Sequence, residues 1–237
     1  MMTPQPEYIE GKGFIAEVIR TNRKKSADVR VDDGVVAVVV PHGLECERIT
    51  EILNDKHQWI KNKIFLHRDA QPTSTKKFVS GESFAYLGRN YRLKVNDGHY
   101  KPVKLIQGRL VVSVPNAKEH PHMIRNALVR WYRHHAKLKL QEKLQRYAAM
   151  TGVESASVGI KTFKSRWGSC SAKGKIDFNW KIIMAPNRMV DYVVVHELCH
   201  LKQHDHSPVF WKKVERVLPD YLMCKEWLKV NAGMLEI

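Results

Sequence analysis

Acidic residues are the scarce class in this chain. Asp and Glu total 24 against 40 Lys and Arg, for a formal net charge of +16. That surplus draws the chain to polyanions, nucleic acid first among them. A basic protein with no such partner has the same balance, because net charge does not define a site. Glycine (13) and proline (10) are too few for a collagen-like or low-complexity chain. Long apolar runs are absent too. The longest is Val35-Val36-Ala37-Val38-Val39-Val40, closed by Pro41, far short of the roughly 20 residues of a membrane-spanning helix. The opening Met-Met-Thr-Pro-Gln-Pro-Glu-Tyr lacks the basic and apolar segments of a signal peptide. The four cysteines, Cys46, Cys170, Cys199 and Cys224, include no CxxC pair. Reduced thiols and a cytoplasmic location without membrane association are therefore expected.

What is present suffices for one large domain or two small ones: 237 residues, 43% hydrophobic and 27% charged. The pattern predicts an α+β protein with a β-rich first half. Strands are expected at Gly13–Arg20, Ala27–Val31 and Val35–Val40, with Asp32-Asp33-Gly34 as a hairpin turn. Ile49, Ile52, Leu53, Trp59, Ile60 and Ile64 recur at helical spacing, so one helix is read over 45–67. Asp69–Lys77 reads as a loop. A hairpin follows in Ser83–Val95, turning at Gly88-Arg89-Asn90, and Arg109–Val114 is a further strand. The composition changes near Pro115, which sets the expected division: 1–115, a β-rich region, and 116–237, a second domain. That domain opens with a helix from about 121 to 150, stopped by Gly152. Its apolar residues include Ile124, Leu128, Trp131 and Leu138, and its interleaved Arg and Lys, among them Arg130 and Lys143, read as a solvated charged face more readily than a phosphate-binding one. Short strands at Ser157–Phe163 and Lys175–Trp180 come next. A helix capped by Asn187 follows, then two short helices, after Ser207-Pro208 and over Tyr221–Val230.

Residues 196–200 read His-Glu-Leu-Cys-His. In HExxH the two histidines stand at i and i+4, on one helix face and about 6 Å apart along the axis. Both rings can lean onto one ion. Neutral imidazole suits zinc, and three protein ligands leave a position open for water. Glu197, beside the first ligand, can take a proton from zinc-bound water and pass it to the leaving amine. A third ligand must come from elsewhere. On a continued helix His204 would lie about 12 Å along the axis from His196, too far for bonds of about 2.1 Å. His206 precedes Ser207-Pro208, an N-cap and first-turn proline that would fold the chain back. His206 is thus the expected third ligand, with His204 its competitor.

Several further motifs occur in order: Arg166-Trp167-Gly168-Ser169-Cys170-Ser171, Phe178-Asn179-Trp180, Ala185-Pro186, the run Asp191 to His200, and His206-Ser207-Pro208-Val209-Phe210-Trp211. In these the chain resembles the YgjP-like metallopeptidase family, a relative of the SprT-like zinc proteases. The resemblance is dense over about 163–215 and looser from about 80 onward, where Gly81-Glu82 and Tyr86–Tyr91 also fit. It implies a zincin-like C-terminal domain with a small mixed sheet and an HExxH active-site helix. It also implies His196, His200 and His206 as zinc ligands, Glu197 as general acid and base, and a protein or peptide substrate.

The remaining candidates have plainer readings. Trp167 is expected in the core and Arg166 in an ion pair, in preference to a loop beside the metal that stabilises an oxyanion. Cys170 is expected as a small buried thiol, and Cys199 should point away from the metal. Asn179 and Asp191 are expected to make local capping or turn bonds rather than orient a ligand imidazole. Tyr192 and Tyr221 are phenol donors without a rank. A zinc peptidase that binds its substrate along an edge strand, with Lys175–Trp180 the candidate, is the leading reading. A nucleic-acid-binding module with structural zinc, and a peptidase acting on DNA-bound proteins, are the alternatives.

Overall fold

A computed structural model describes residues 7–23, 25–32, 34–69, 76–153, 157–171 and 174–237, with the side chains of 65–69 left aside. Asp33 of the expected turn and residues 70–75 of the expected loop lie outside the described residues. The protein is α+β, with three small sheets and six α-helices among the described residues. Its backbone groups into two compact units: residues 1–82 with 93–130, and residues 83–92 with 131–237.

The first unit starts with β1 (Glu7–Gly11), β2 (Phe14–Thr21), β3 (Asp28–Asp32) and β4 (Val35–Pro41). They form a sheet in the order β1-β2-β4-β3, in which β2 and β4 run parallel and the outer pairings are antiparallel. The valine run belongs to an inner strand: Val36, Val38 and Val40 are fully buried and Val39 nearly so. Coverage of both faces explains why β4 is apolar throughout instead of alternating. Ile49, Leu53 and Ile60 complete this core with Phe14, Ala16 and Val18. They come from two helices, α1 (Cys46–Asp55) and α2 (His57–Asp69), not the single helix expected. The break falls at Lys56, at φ −92° and ψ 6°. Asn54-Asp55 just before it are residues that bond their own backbone more readily than they propagate a helix.

β5 (Ser83–Tyr86), β6 (Arg89–Asp97), β7 (Lys101–Ile106) and β8 (Arg109–Val114) form a second sheet, ordered β5-β6-β8-β7. The β5–β6 turn is Leu87-Gly88, one residue earlier than expected, and both have positive φ, 49° and 79°. Two successive left-handed residues make the tight turn whose twist suits a hairpin. Gly88 has a second reason to lack a side chain: a Cβ there would sit 2.8 Å from the Pro186 Cα. β7 holds Pro102 and lies at the sheet edge, where a missing N–H is tolerated.

α3 (Pro121–Thr151), like β6, is divided between the two units. It stops at Gly152, whose φ of 65° lets Val153 N–H reach the Ala148 carbonyl at 3.0 Å. The expected solvated basic face is only partly so. Arg130 and Lys143 are buried, whereas Leu138 is half exposed. Arg130 donates to the Ile15 carbonyl and lies over the Tyr8 and Tyr100 rings.

In the second unit a three-stranded sheet is built from β9 (Ser157–Lys161), β10 (Gly168–Cys170) and β11 (Lys175–Asn179), ordered β10-β11-β9. β11 is parallel to β9 and antiparallel to β10. A 3₁₀ turn at Trp180–Met184 leads to α4 (Asn187–His200), then α5 (Pro208–Val217) and α6 (Tyr221–Asn231). Pro186, not Asn187, occupies the cap of α4, and Asn187 is its first residue. The stretch Val193-Val194-Val195 is a mediocre helix former. All three are buried, so packing holds the helix. Among the described residues no helix is long and apolar enough to cross a membrane.

Candidate metal centre

α4 carries His196 and His200 one turn apart and ends immediately after His200. Leu201 and Lys202 close the helix with bonds back to Leu198 and Cys199. The chain then turns, and Ser207 with Pro208 starts α5 as expected. This turn delivers His206 to the other two histidines. The Nε2 of His200 lies 3.2 Å from those of His196 and His206, and the latter two are 3.1 Å apart. His204 lines the same cleft but is outside the convergent trio.

The donor set fits a divalent ion. Two ligands at about 2.1 Å around a tetrahedral ion lie about 3.4 Å apart, close to the spacing here. The His200 Nδ1 contacts the Gln203 carbonyl at 3.1 Å. It can only donate there, so the Nε2 facing the trio is a bare acceptor. The His196 Nδ1 is buried without a partner among the described residues, and packing holds this ring. Tyr192, Phe210 and Trp211 surround it, with centroids 4.9–5.7 Å away. Phe210, fully buried, touches all three imidazoles. Burial pushes His196 down to about 3, with His200 and His206 adding to the effect, and also lowers His200. Burial thus favours the neutral form of His196 and His200, the form that can donate a lone pair to a cation.

Glu197 is buried on the same turn, and burial raises its carboxyl to about 7, with the Arg166 charge opposing. Its side chain rests against Gly168 of β10: a Cβ there would meet Oε1 at 2.6 Å and Cγ at 2.7 Å. Sequence reasoning missed this glycine, although it stands in the quoted Arg-Trp-Gly-Ser-Cys run.

The cleft, about 480 Å³, is walled by Arg166–Cys170 on one side and by Tyr192, Val193 and the histidines on the other. Trp167 is therefore half-buried at the cleft and not in the core. Arg166 is exposed and lies over the Phe163 ring instead of pairing with an acid among the described residues. Cys170 is half-buried on the cleft wall rather than in the core, and this partial burial, with Glu197, raises its thiol above its ordinary value. Cys199 is buried, and burial holds its thiol up to about 11. Asn179 makes the local bonds expected, donating to the Phe163 and Arg166 carbonyls and accepting from Lys181 N–H. Asp191 does not; it forms a buried ion pair with Lys143 at 2.6 Å. Tyr221 stacks on Trp211, and burial raises Tyr192 well above the ordinary tyrosine range. The Lys175–Trp180 segment is no edge. As β11 it is the middle strand, with both sides paired, and β10 holds the edge on the cleft.

Compared with known proteins, residues 25–231 match the family described as YgjP-like, metallopeptidase domain. No curated protein matches the chain. Among solved structures, the metallopeptidase zymogen of Pyrococcus abyssi abylysin is 28% identical over 37% of this chain and 86% of its own. The TM-score of 0.34 is too low to equate the two folds.

Proposed function

The chain belongs to the YgjP-like metallopeptidase family, and from that premise we propose that it hydrolyses peptide bonds at a zinc ion held by His196, His200 and His206. The observation that carries the reading is the convergence of three imidazole nitrogens 3.1–3.2 Å apart on one side of a cleft that also holds Glu197. When bound, a divalent ion there supplies Lewis acidity toward a carbonyl and makes water easier to deprotonate. Glu197 takes the proton of the attacking water and returns it to the leaving amine; a carboxyl raised toward neutrality suits both transfers. Gly168 leaves room for that carboxyl. Tyr192, whose phenol burial keeps protonated, is a donor on the same wall.

The substrate, a protein or peptide, would add as an extended strand to the outer edge of β10. Residues 116–237 are the proposed peptidase domain, zincin-like in plan, and 1–115 a β-rich region. The four free cysteines accord with a cytoplasmic setting. A nucleic-acid module with structural zinc is the weaker reading, since a closed site takes four protein ligands and the convergent group has three.

The test is metal content of the purified protein by plasma mass spectrometry. About one zinc per chain is expected, reduced in His200→Ala and in His206→Ala. Retention in His206→Ala would move the third ligand to His204. No zinc in the native chain, even after zinc is added back, would sink the reading.

A further inference from the structure

The second unit has another cavity, about 450 Å³, within the ~300–1,000 Å³ range of small-ligand sites. Its chemistry differs from that of the cleft. Arg89, Lys139, Lys143 and Arg146 face it, against one acidic side chain, Glu142. Two of these cations are neutralised locally: Lys139 pairs with Glu142 at 2.7 Å and Lys143 with Asp191 at 2.6 Å. Arg89 and Arg146 are exposed and have no ion-pair partner among the described residues. Arg146 lies over the Tyr147 ring, 5.0 Å from its centroid. Two aromatic rings are on the wall, the half-buried Tyr91 and the buried Tyr86, with centroids 6.2 Å apart. Asn187 lines the cavity as well, so the positive end of the 14-residue α4 adds to the field of the arginines.

We propose that this cavity binds a phosphate-and-base unit of single-stranded nucleic acid, with Arg89 and Arg146 on the phosphate and a base stacked on Tyr91. A guanidinium fork matches phosphate oxygens bidentately. Cations interleaved with partly exposed aromatic rings are the combination that holds single strands without reading their sequence. The net charge of +16 favours the phosphates that flank the bound unit. The cavity and the histidine trio lie at opposite ends of α4. From Asn187 to His196 is nine residues, about 14 Å of helix axis. A strand held in the cavity would therefore leave the cleft clear. The inference goes beyond peptide hydrolysis and does not depend on it, because the test reads binding alone.

The test is fluorescence anisotropy of a short labelled oligothymidylate with the full chain, at salt from about 50 to 200 mM. Arg89→Ala/Arg146→Ala should weaken binding about tenfold and flatten the slope of log affinity on log salt by about 1.4, at 0.7 per lost phosphate contact. Tyr91→Leu should weaken binding and leave the slope alone. Arg89→Lys/Arg146→Lys, which keeps both charges, should restore the slope. Lys104→Ala/Arg109→Ala, which removes the same charge from exposed positions on β7 and β8, should change neither quantity. Circular dichroism identical to the native chain shows that each variant folds. Equal losses in the two alanine pairs would mean diffuse attraction and overturn the site. So would absence of oligonucleotide binding by the native chain, or equally tight, arginine-dependent binding of polyglutamate.

Discussion

The two ends of α4 each bury a carboxyl group, and the two are treated in opposite ways. Asp191 is 5% exposed and meets the Lys143 ammonium at 2.6 Å. Glu197 is 6% exposed and has no ion-pair partner among the described residues; burial raises its carboxyl to about 7. Burial costs a lone charge far more than a paired one. The chain meets that cost with a neutralising partner at Asp191 and leaves it standing at Glu197, the group proposed to exchange protons. Equal burial therefore leaves two carboxyls in different states, and the difference lies in whether a cation stands beside each.

Substitution can break that comparison at either end. Glu197→Gln keeps shape and removes the exchangeable proton. Hydrolysis of an unfolded protein such as casein should fall by about 10²–10⁴-fold, the usual share of general acid and base, with zinc content unchanged. Loss of zinc in this variant would mean that Glu197 holds the site together instead. Asp191→Ala leaves the Lys143 charge buried and alone, and urea unfolding should show a loss of about 3–5 kcal/mol. Lys143→Met/Asp191→Leu should regain most of it, and a double variant as unstable as the single would refute the pairing argument. Gly168→Ala sharpens the contrast by touching Glu197 without changing its chemistry. A Cβ 2.6 Å from Oε1 must displace the carboxyl, so turnover should drop by about tenfold or more while zinc and thermal midpoint hold. The smallest effect belongs to half-buried ion pairs near the surface. Arg188 lowers the Asp220 carboxyl, and Arg20 lowers that of Glu7, both chiefly through side-chain hydrogen bonds. A carboxyl lowered by folding stabilises above its unfolded value and loses that contribution as pH falls through the folded one. Urea midpoints should therefore drop between about pH 5 and pH 3, and Arg188→Ala should make the drop slightly shallower.

Much of this was legible in the residues. The β4 valines, the span of α3 with its glycine stop, the HExxH helix and the Ser207-Pro208 restart are signals a short stretch of chain carries by itself. The family followed from the order of the motifs and is matched over residues 25–231. Other features were illegible for physical reasons. β10 has three residues, Gly-Ser-Cys, too few to show a period of two. β1 and β7 are short and rich in charge or proline, as strands at sheet edges tolerate. The burial of Arg130 and Lys143 depends on residues distant in the chain, Ile15 and Asp191. So does the role of Gly168, whose missing side chain matters only because Glu197 arrives there from α4. At the trio, spacing along the helix paired His196 with His200, whereas the choice of His206 over His204 needed a turn to be read from Ser207-Pro208.

His206 differs from its two companions in not riding on α4. It reaches them from beyond the end of the helix, ten positions along the chain from His196. An ion shared by all three would act as a reversible cross-link, closing a loop whose ends would otherwise be free to part. Its binding energy would then be divided between gripping the ion and holding the entry to α5 in register. By mass action, the free metal concentration of the surroundings would set how firmly α5 stays docked on α4.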